Sequence, residues 1–75
     1  MMLKELETGK RFVFEDTRTA LPLSGKDYGQ YYPPKGTFEL CGVAQYGWLR
    51  IRHEETGKEM IVVAGVGLRY ILPIL

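Results

Sequence analysis

The chain has few of the residues on which disulfide, metal and catalytic sites depend. Its 75 residues include one cysteine, Cys41, and one histidine, His53. A single cysteine excludes a disulfide within the chain, and one Cys with one His is too few soft ligands for a typical zinc site. Ser24 is the only serine, and Asp16 and Asp27 are the only aspartates. We therefore expect no enzyme activity, no metal and no cofactor.

An excess of charge and a long apolar run are also missing. Ten basic and nine acidic residues leave a net charge of +1, which gives no general field to attract nucleic acid or acidic lipid. No stretch approaches the roughly 20 apolar residues of a membrane span. Residues 1–7 are too charged for a signal peptide. We expect one cytoplasmic domain over residues 1–75, with no membrane contact.

Short apolar segments between nine glycines and four prolines predict strands rather than helices. The predicted strands cover residues 11–15, 37–44, 48–53, 59–64 and 68–72. In 48–53, Leu49 and Ile51 alternate with outward-facing Arg50 and Arg52. The apolar run at 59–64 predicts a strand buried on both faces. Residues 1–10 form an N-terminal extension and 16–36 a long first loop. The prediction is an all-β, five-stranded, partly open barrel.

Four segments resemble the strands and turns of SH3-like domains, in order, over residues 20–72. Residues 35–40 are similar to the entry into their second strand, and 47–52 to their Gly-Trp third strand. Residues 56–59 resemble their distal hairpin, and 69–71 the turn into their last strand. The resemblance implies an SH3-like barrel with a groove lined by its long loop. Similarity to the bacterial form (SH3b) also implies a cell-wall-binding module as a third functional alternative.

The long loop is rich in tyrosine and proline, a composition that suits a contact surface. In SH3-like barrels this loop faces the Gly-Trp strand and the terminal tyrosine. The hypothesis is a binding module whose partner is another protein. Its predicted contact residues are Tyr28, Tyr31, Tyr32, Trp48 and Tyr70. The alternative is that the tyrosines pack the loop onto a small barrel.

A second functional class is nucleic-acid binding on the outward face of the strand 48–53. Arginine beside an exposed tryptophan can hold phosphate or stack on a base. The candidate contacts are Trp48, Arg50 and Arg52 with Lys26, Lys35 and Lys58. The alternative is a solvated strand face on which Glu39 or Glu59 is the cross-strand partner of an arginine.

Three further features have simpler interpretations. Cys41 is expected to be a small, partly buried apolar residue rather than a nucleophile, and His53 an exposed strand residue. The apolar tail 70–75 would favour aggregation if exposed. It either closes the barrel against the first strand or makes a homodimer or partner contact.

Overall fold

A computed structural model describes residues 1–24, 29–32 and 35–74. The protein is all-β, as predicted, and its strands form one antiparallel sheet in the order β3-β2-β6-β5-β4-β1-β7. The strands are β1 (Arg11–Phe14), β2 (Leu21–Ser24), β3 (Gly29–Tyr31), β4 (Phe38–Val43), β5 (Leu49–His53), β6 (Glu59–Val62) and β7 (Ile71–Ile74). Short 3₁₀ turns occupy Leu3–Glu5, Gln45–Gly47 and Ala64–Leu68.

Four of the five predicted strands correspond to β1, β4, β5 and β6. In β5 the predicted alternation is confirmed, because Leu49 and Ile51 are buried while Arg50 is exposed. The expectation of two buried faces in β6 is wrong. Met60 and Val62 are buried, whereas Ile61 between them is only half-buried. β6 is therefore an ordinary one-sided strand.

The segment 16–36, predicted as a long first loop, contains two strands, β2 and β3. Leu21 and Leu23 alternate into the core, and β2 pairs with β6 through Leu23 and Val62. Pro22 is tolerated in this strand for a local reason. The Pro22 carbonyl accepts a hydrogen bond from the N–H of Val63, the residue that follows the end of β6. Proline has no N–H to donate, but its nitrogen faces this same position beyond β6, so the pairing within β6 loses no hydrogen bond.

The last predicted strand, at 68–72, is displaced toward the C-terminus. Ala64–Leu68 forms a 3₁₀ turn instead, in which the N–H of Val66 donates to the carbonyl of Val63. β7 then pairs antiparallel with β1, placing Leu72 opposite Val13 and Ile74 opposite Arg11. The described part of the apolar tail therefore packs along the first strand, which was one of the two outcomes expected; Leu75 lies outside the described residues.

An aromatic cluster lies at the centre of the core. Phe12 and Phe14 meet edge to face at 5.2 Å, and Phe38 lies 5.9 Å from Phe12. Leu3 is also fully buried, and its N–H donates to the carbonyl of Arg69. The segment 1–10, predicted as an extension, therefore contributes to the core. The Arg69 guanidinium donates to the carbonyls of Thr19 and Ala20, which fixes the path of the chain into β2.

Candidate functional site

Trp48 lies at the start of β5, beside a mainly apolar cavity of about 400 Å³. The Trp48 side chain is only half-buried. The cavity is formed where β2 and β6 meet the turn that precedes β5. Its lining residues are Ser24, Ala44, Gln45, Trp48 and Ile61. We call this space the Trp48 cavity. An open apolar cavity with a few polar groups at its border has the general form of a ligand-binding site.

The turn before β5 holds a second aromatic residue against Trp48. Tyr46 has φ +60°, a left-handed conformation that bulky residues rarely adopt. Its ring lies 5.1 Å from that of Trp48 at an angle of 61°, and Tyr46 is 80% exposed. The turn is closed by hydrogen bonds from Ala44 to Trp48 and from Trp48 to Gln45. Such strain, of about 1–3 kcal/mol, concentrates at binding sites.

Tyr46 is not among the residues predicted from the sequence to form a site, because it lies between the predicted strands 37–44 and 48–53. The available signal was an aromatic side chain between two strands, one residue before a glycine and two before a tryptophan. Gly47 also has a positive φ, +74°. Two successive left-handed residues turn the chain sharply, so that Tyr46 and Trp48 lie side by side.

The predicted contact tyrosines occupy different places. Tyr31 is half-buried against the core, and its burial raises the pKa of its hydroxyl. Tyr32 is largely exposed. Tyr70 is 63% exposed and lines a second cavity, of about 260 Å³, with Phe14, Glu15, Asp16 and Arg69. Trp48 and Tyr70 thus line different cavities, and Tyr28 lies outside the described residues.

The basic residues proposed for nucleic-acid contact lie mostly beside acidic or aromatic partners. Arg50 pairs with Glu59 at 3.7 Å, and Arg52 donates a hydrogen bond to Glu39. The Glu39 carboxylate raises the pKa of Arg52. Glu59 and Glu39 are thus the cross-strand partners of the two arginines.

The lysines of the same group are dispersed. The Lys58 ammonium lies 5.1 Å from the centre of the Tyr31 ring, a cation–π contact that ties the hairpin loop after β5 to β3. Lys35 is exposed, and Lys26 lies outside the described residues.

The prediction of an exposed His53 is wrong. His53 is 1% exposed, its Nδ1 lies 3.0 Å from Thr56 Oγ1, and its ring packs on Phe38. The alternation that buries Leu49 and Ile51 also places His53 on the buried face of β5. The expectation of an exposed His53 rests on the polarity of its side chain. His53 is therefore part of the core and does not belong to a surface site.

Cys41 is half-buried, and burial together with nearby Glu39 raises the pKa of its thiol. A raised thiol pKa lowers the thiolate fraction that nucleophilic attack requires. Among the described residues, no three His, Cys, Asp or Glu side chains are grouped closely enough to hold a metal ion. The surface that lines the Trp48 cavity is mainly apolar.

Comparison with known proteins gives no indication of what the Trp48 cavity binds. Within the described part of the chain, no helix has the length and apolar character required to cross a membrane. Neither the protein-family models, nor the curated proteins, nor the solved structures include a match to this chain.

Proposed function

We propose that this chain is a small, non-catalytic, intracellular binding module whose partner is another protein. The observation that carries the proposal is the Tyr46–Trp48 pair, held beside the Trp48 cavity by a strained turn. Tryptophan and tyrosine dominate protein interfaces because they bury a large area with few rotatable bonds. The partner would place an apolar or aromatic side chain in the cavity, between Trp48 and Ile61.

The finer fold assignment is part of this proposal: an SH3-like barrel in which β1, β4, β5, β6 and β7 are the five barrel strands. Support comes from the sheet order, in which these strands are neighbours in the sequence β6-β5-β4-β1-β7. The hairpin β2–β3 adds to the β6 edge. In this arrangement the end of β2 borders the Trp48 cavity through Ser24.

The ion pairs that Arg50 and Arg52 make with glutamates favour a protein partner over nucleic acid. Arg50 and Arg52 lie beside Glu59 and Glu39, so a phosphate would have to displace a carboxylate or approach it closely. Nucleic-acid affinity depends largely on net phosphate neutralisation, which this face offers only weakly. The Trp48 cavity needs no charge to be filled.

Trp48→Ala is expected to weaken peptide binding at least about 30-fold without unfolding the chain, because interface tryptophans commonly contribute about 2 kcal/mol or more. Peptides would be selected from a random linear library on the wild-type chain, and their affinities measured by calorimetry. Leu68→Ala is the matched control, since Leu68 is an exposed apolar residue that does not line the cavity. Equal affinities for the two variants, or failure of Trp48→Ala to fold, would contradict the proposal.

The nucleic-acid alternative is tested by Trp48 fluorescence during titration with mixed-sequence single- and double-stranded oligonucleotides. We expect no saturable change at low salt. Saturable quenching that weakens as salt rises would instead show that phosphate contacts and base stacking occur at this face. That result would replace the protein-partner proposal.

A further inference from the structure

The outer face of β1 and β7 differs from the rest of the sheet surface. Leu72 and Ile74 point away from the core on β7, because buried Ile71 alternates with them. Val13 lies opposite Leu72 on β1. On β5 and β6 the corresponding outward positions carry ion pairs such as Arg50–Glu59. Val13, Leu72 and Ile74 therefore form an apolar strip on the β1/β7 outer face, whereas the outer face of β5 and β6 carries ion pairs.

The free edge of β7 cannot extend the sheet in the usual way. The N–H of Ile71 points away from β1 and donates to the carbonyl of Met1. In an antiparallel strand the next outward-pointing N–H would be two residues later. That residue is Pro73, which has none. An apolar strand with a proline at its edge is protected against strand addition, so contact is more favourable through its face.

The charges on this face are arranged symmetrically about Val13. The outward positions of β1 are Arg11 and Val13, and Glu15 follows in the same alternation. Arg11 lies opposite Ile74, and the N–H of Glu15 donates to the carbonyl of Tyr70. Along β1 the outward side chains therefore run from basic Arg11 through Val13 to acidic Glu15, and Glu39 of β4 lies opposite Arg11 on its other side. A twofold axis through Val13 would place Arg11 of one copy against Glu15 of the other.

We propose that the β1/β7 outer face binds a second copy of this chain in an antiparallel, twofold-symmetric homodimer. In an isologous interface one surface must complement itself. Here Val13 and Leu72 of both copies form the apolar centre, and Arg11–Glu15 pairs form at both ends. Ile74 of each copy then packs near Tyr70 of the other. The Trp48 cavity shares no lining residue with this face.

The face consists only of the outward side chains of two four-residue strands and Glu15, so we expect a weak dimer whose population depends on concentration. A typical stable interface buries about 800 Å² on each partner, roughly one sixth of the 4783 Å² that this chain exposes. Arg11 also lies 3.5 Å from Glu54 of its own chain. That pair is solvent-exposed and therefore weak, and the Arg11 side chain can exchange partners. The charges select the antiparallel orientation, while the apolar centre supplies most of the affinity.

Sedimentation equilibrium of the full chain, at micromolar to millimolar concentration, tests the face. We expect a monomer–dimer equilibrium whose dissociation constant rises at least about tenfold in Leu72→Lys. Val43→Lys is the matched control: Val43 is also an exposed apolar residue on a strand, but lies in β4. A wild-type chain that stays monomeric throughout, or a dimer weakened equally by both substitutions, would overturn the proposal.

Charge reversal tests the symmetry and does not depend on the apolar variant. Arg11→Glu and Glu15→Arg should each weaken the dimer, because each places like charges across the axis at both ends. An equimolar mixture of the two variants should form heterodimers at wild-type strength, since both ends are then complementary. The double variant Arg11→Glu/Glu15→Arg should also dimerise. If the mixture remains monomeric while the wild type dimerises, the antiparallel twofold arrangement is wrong.

Discussion

Replacing Phe12 with alanine is expected to remove a large share of the free energy of unfolding. Phe12 is fully buried and contacts the rings of Phe14 and Phe38. Truncating a buried phenylalanine costs about 3–5 kcal/mol, because transfer free energy is lost and a cavity remains. At about 0.05–0.15 kcal/mol per residue, a chain of this length has a stability of about 4–11 kcal/mol. One side chain therefore accounts for a large share of the total.

Urea denaturation followed by far-ultraviolet circular dichroism measures this effect. The control is Leu68→Ala, which removes an apolar side chain that is already 57% exposed; its cost should stay within about 0.5 kcal/mol. If Phe12→Ala were as mild as Leu68→Ala, the three phenylalanines would not form the centre of the core, and the pairing of β1 with β4 and β7 would need revision.

The parts of the fold that were predictable are those in which side-chain alternation and burial agree. β5 is the clearest case: apolar Leu49 and Ile51 alternate with arginines, and the structure buries the first pair. β1 was predictable for the same reason, since Phe12 and Phe14 are separated by one residue. Strand geometry alone makes side chains alternate between the two faces with a period of two residues. This alternation can therefore be recognised without knowing which strands pair.

The missed elements are those in which local composition contradicts tertiary context. Pro22 and the nearby glycines are typical of a loop. Leu21 and Leu23 nevertheless lie in β2, because pairing of β2 with β6 buries their side chains in the core. His53 was predicted to be exposed because it is polar, although its position in β5 faces inward. Neither outcome depends on a residue's own propensity; both depend on which strands lie beside it.

The candidate site was predictable in one residue and not in its surroundings. Trp48 was identified from the sequence, but its cavity includes Ser24 and Ile61, which are brought together by the pairing of β2 with β6. Tyr46 reaches Trp48 only because it adopts a left-handed backbone conformation. Contacts between distant strands and rare backbone conformations leave little trace in a single sequence.

The proposed homodimer would increase the avidity of the proposed binding site at Trp48 for a partner with repeated segments. A homodimer through the β1/β7 outer face would carry two Trp48 cavities, because that face and the cavity share no lining residue. A partner with two copies of the recognised segment would then gain avidity without any new contact. Each proposal nevertheless stands alone, since a monomer can bind through Trp48 and a dimer can form with the cavity empty.

Among the glycines of the described residues, Gly36→Ala is expected to be the most damaging substitution. Gly36 has φ +131°, which L-residues rarely adopt, and an added Cβ would lie 3.1 Å from His53 Nε2. The His53 ring cannot easily retreat, because Thr56 holds its Nδ1 and Phe38 lies against its face. Backbone strain and overpacking each contribute about 1–3 kcal/mol. We expect a loss of at least about 2 kcal/mol in the free energy of unfolding.

Alanine substitutions at two other glycines separate the effect of backbone strain from that of steric overlap. Gly57 has φ +73° but open space around its Cβ position, so Gly57→Ala should cost only the strain of a left-handed alanine, about 1–2 kcal/mol. Gly65 has neither an unusual φ nor a close neighbour, so Gly65→Ala should be nearly neutral. Urea denaturation of all three variants should therefore rank them Gly36, Gly57, Gly65 in decreasing cost.

A double-mutant cycle with His53→Ala isolates the steric contact. If the His53 ring is what the new methyl group meets, Gly36→Ala should cost less in the His53→Ala background, and the remainder should be the backbone strain of an alanine at φ +131°. An unchanged cost would mean that backbone strain alone makes Gly36 necessary. The cycle thus decides whether the buried histidine requires a glycine above it, or whether the chain turns there for reasons independent of the ring.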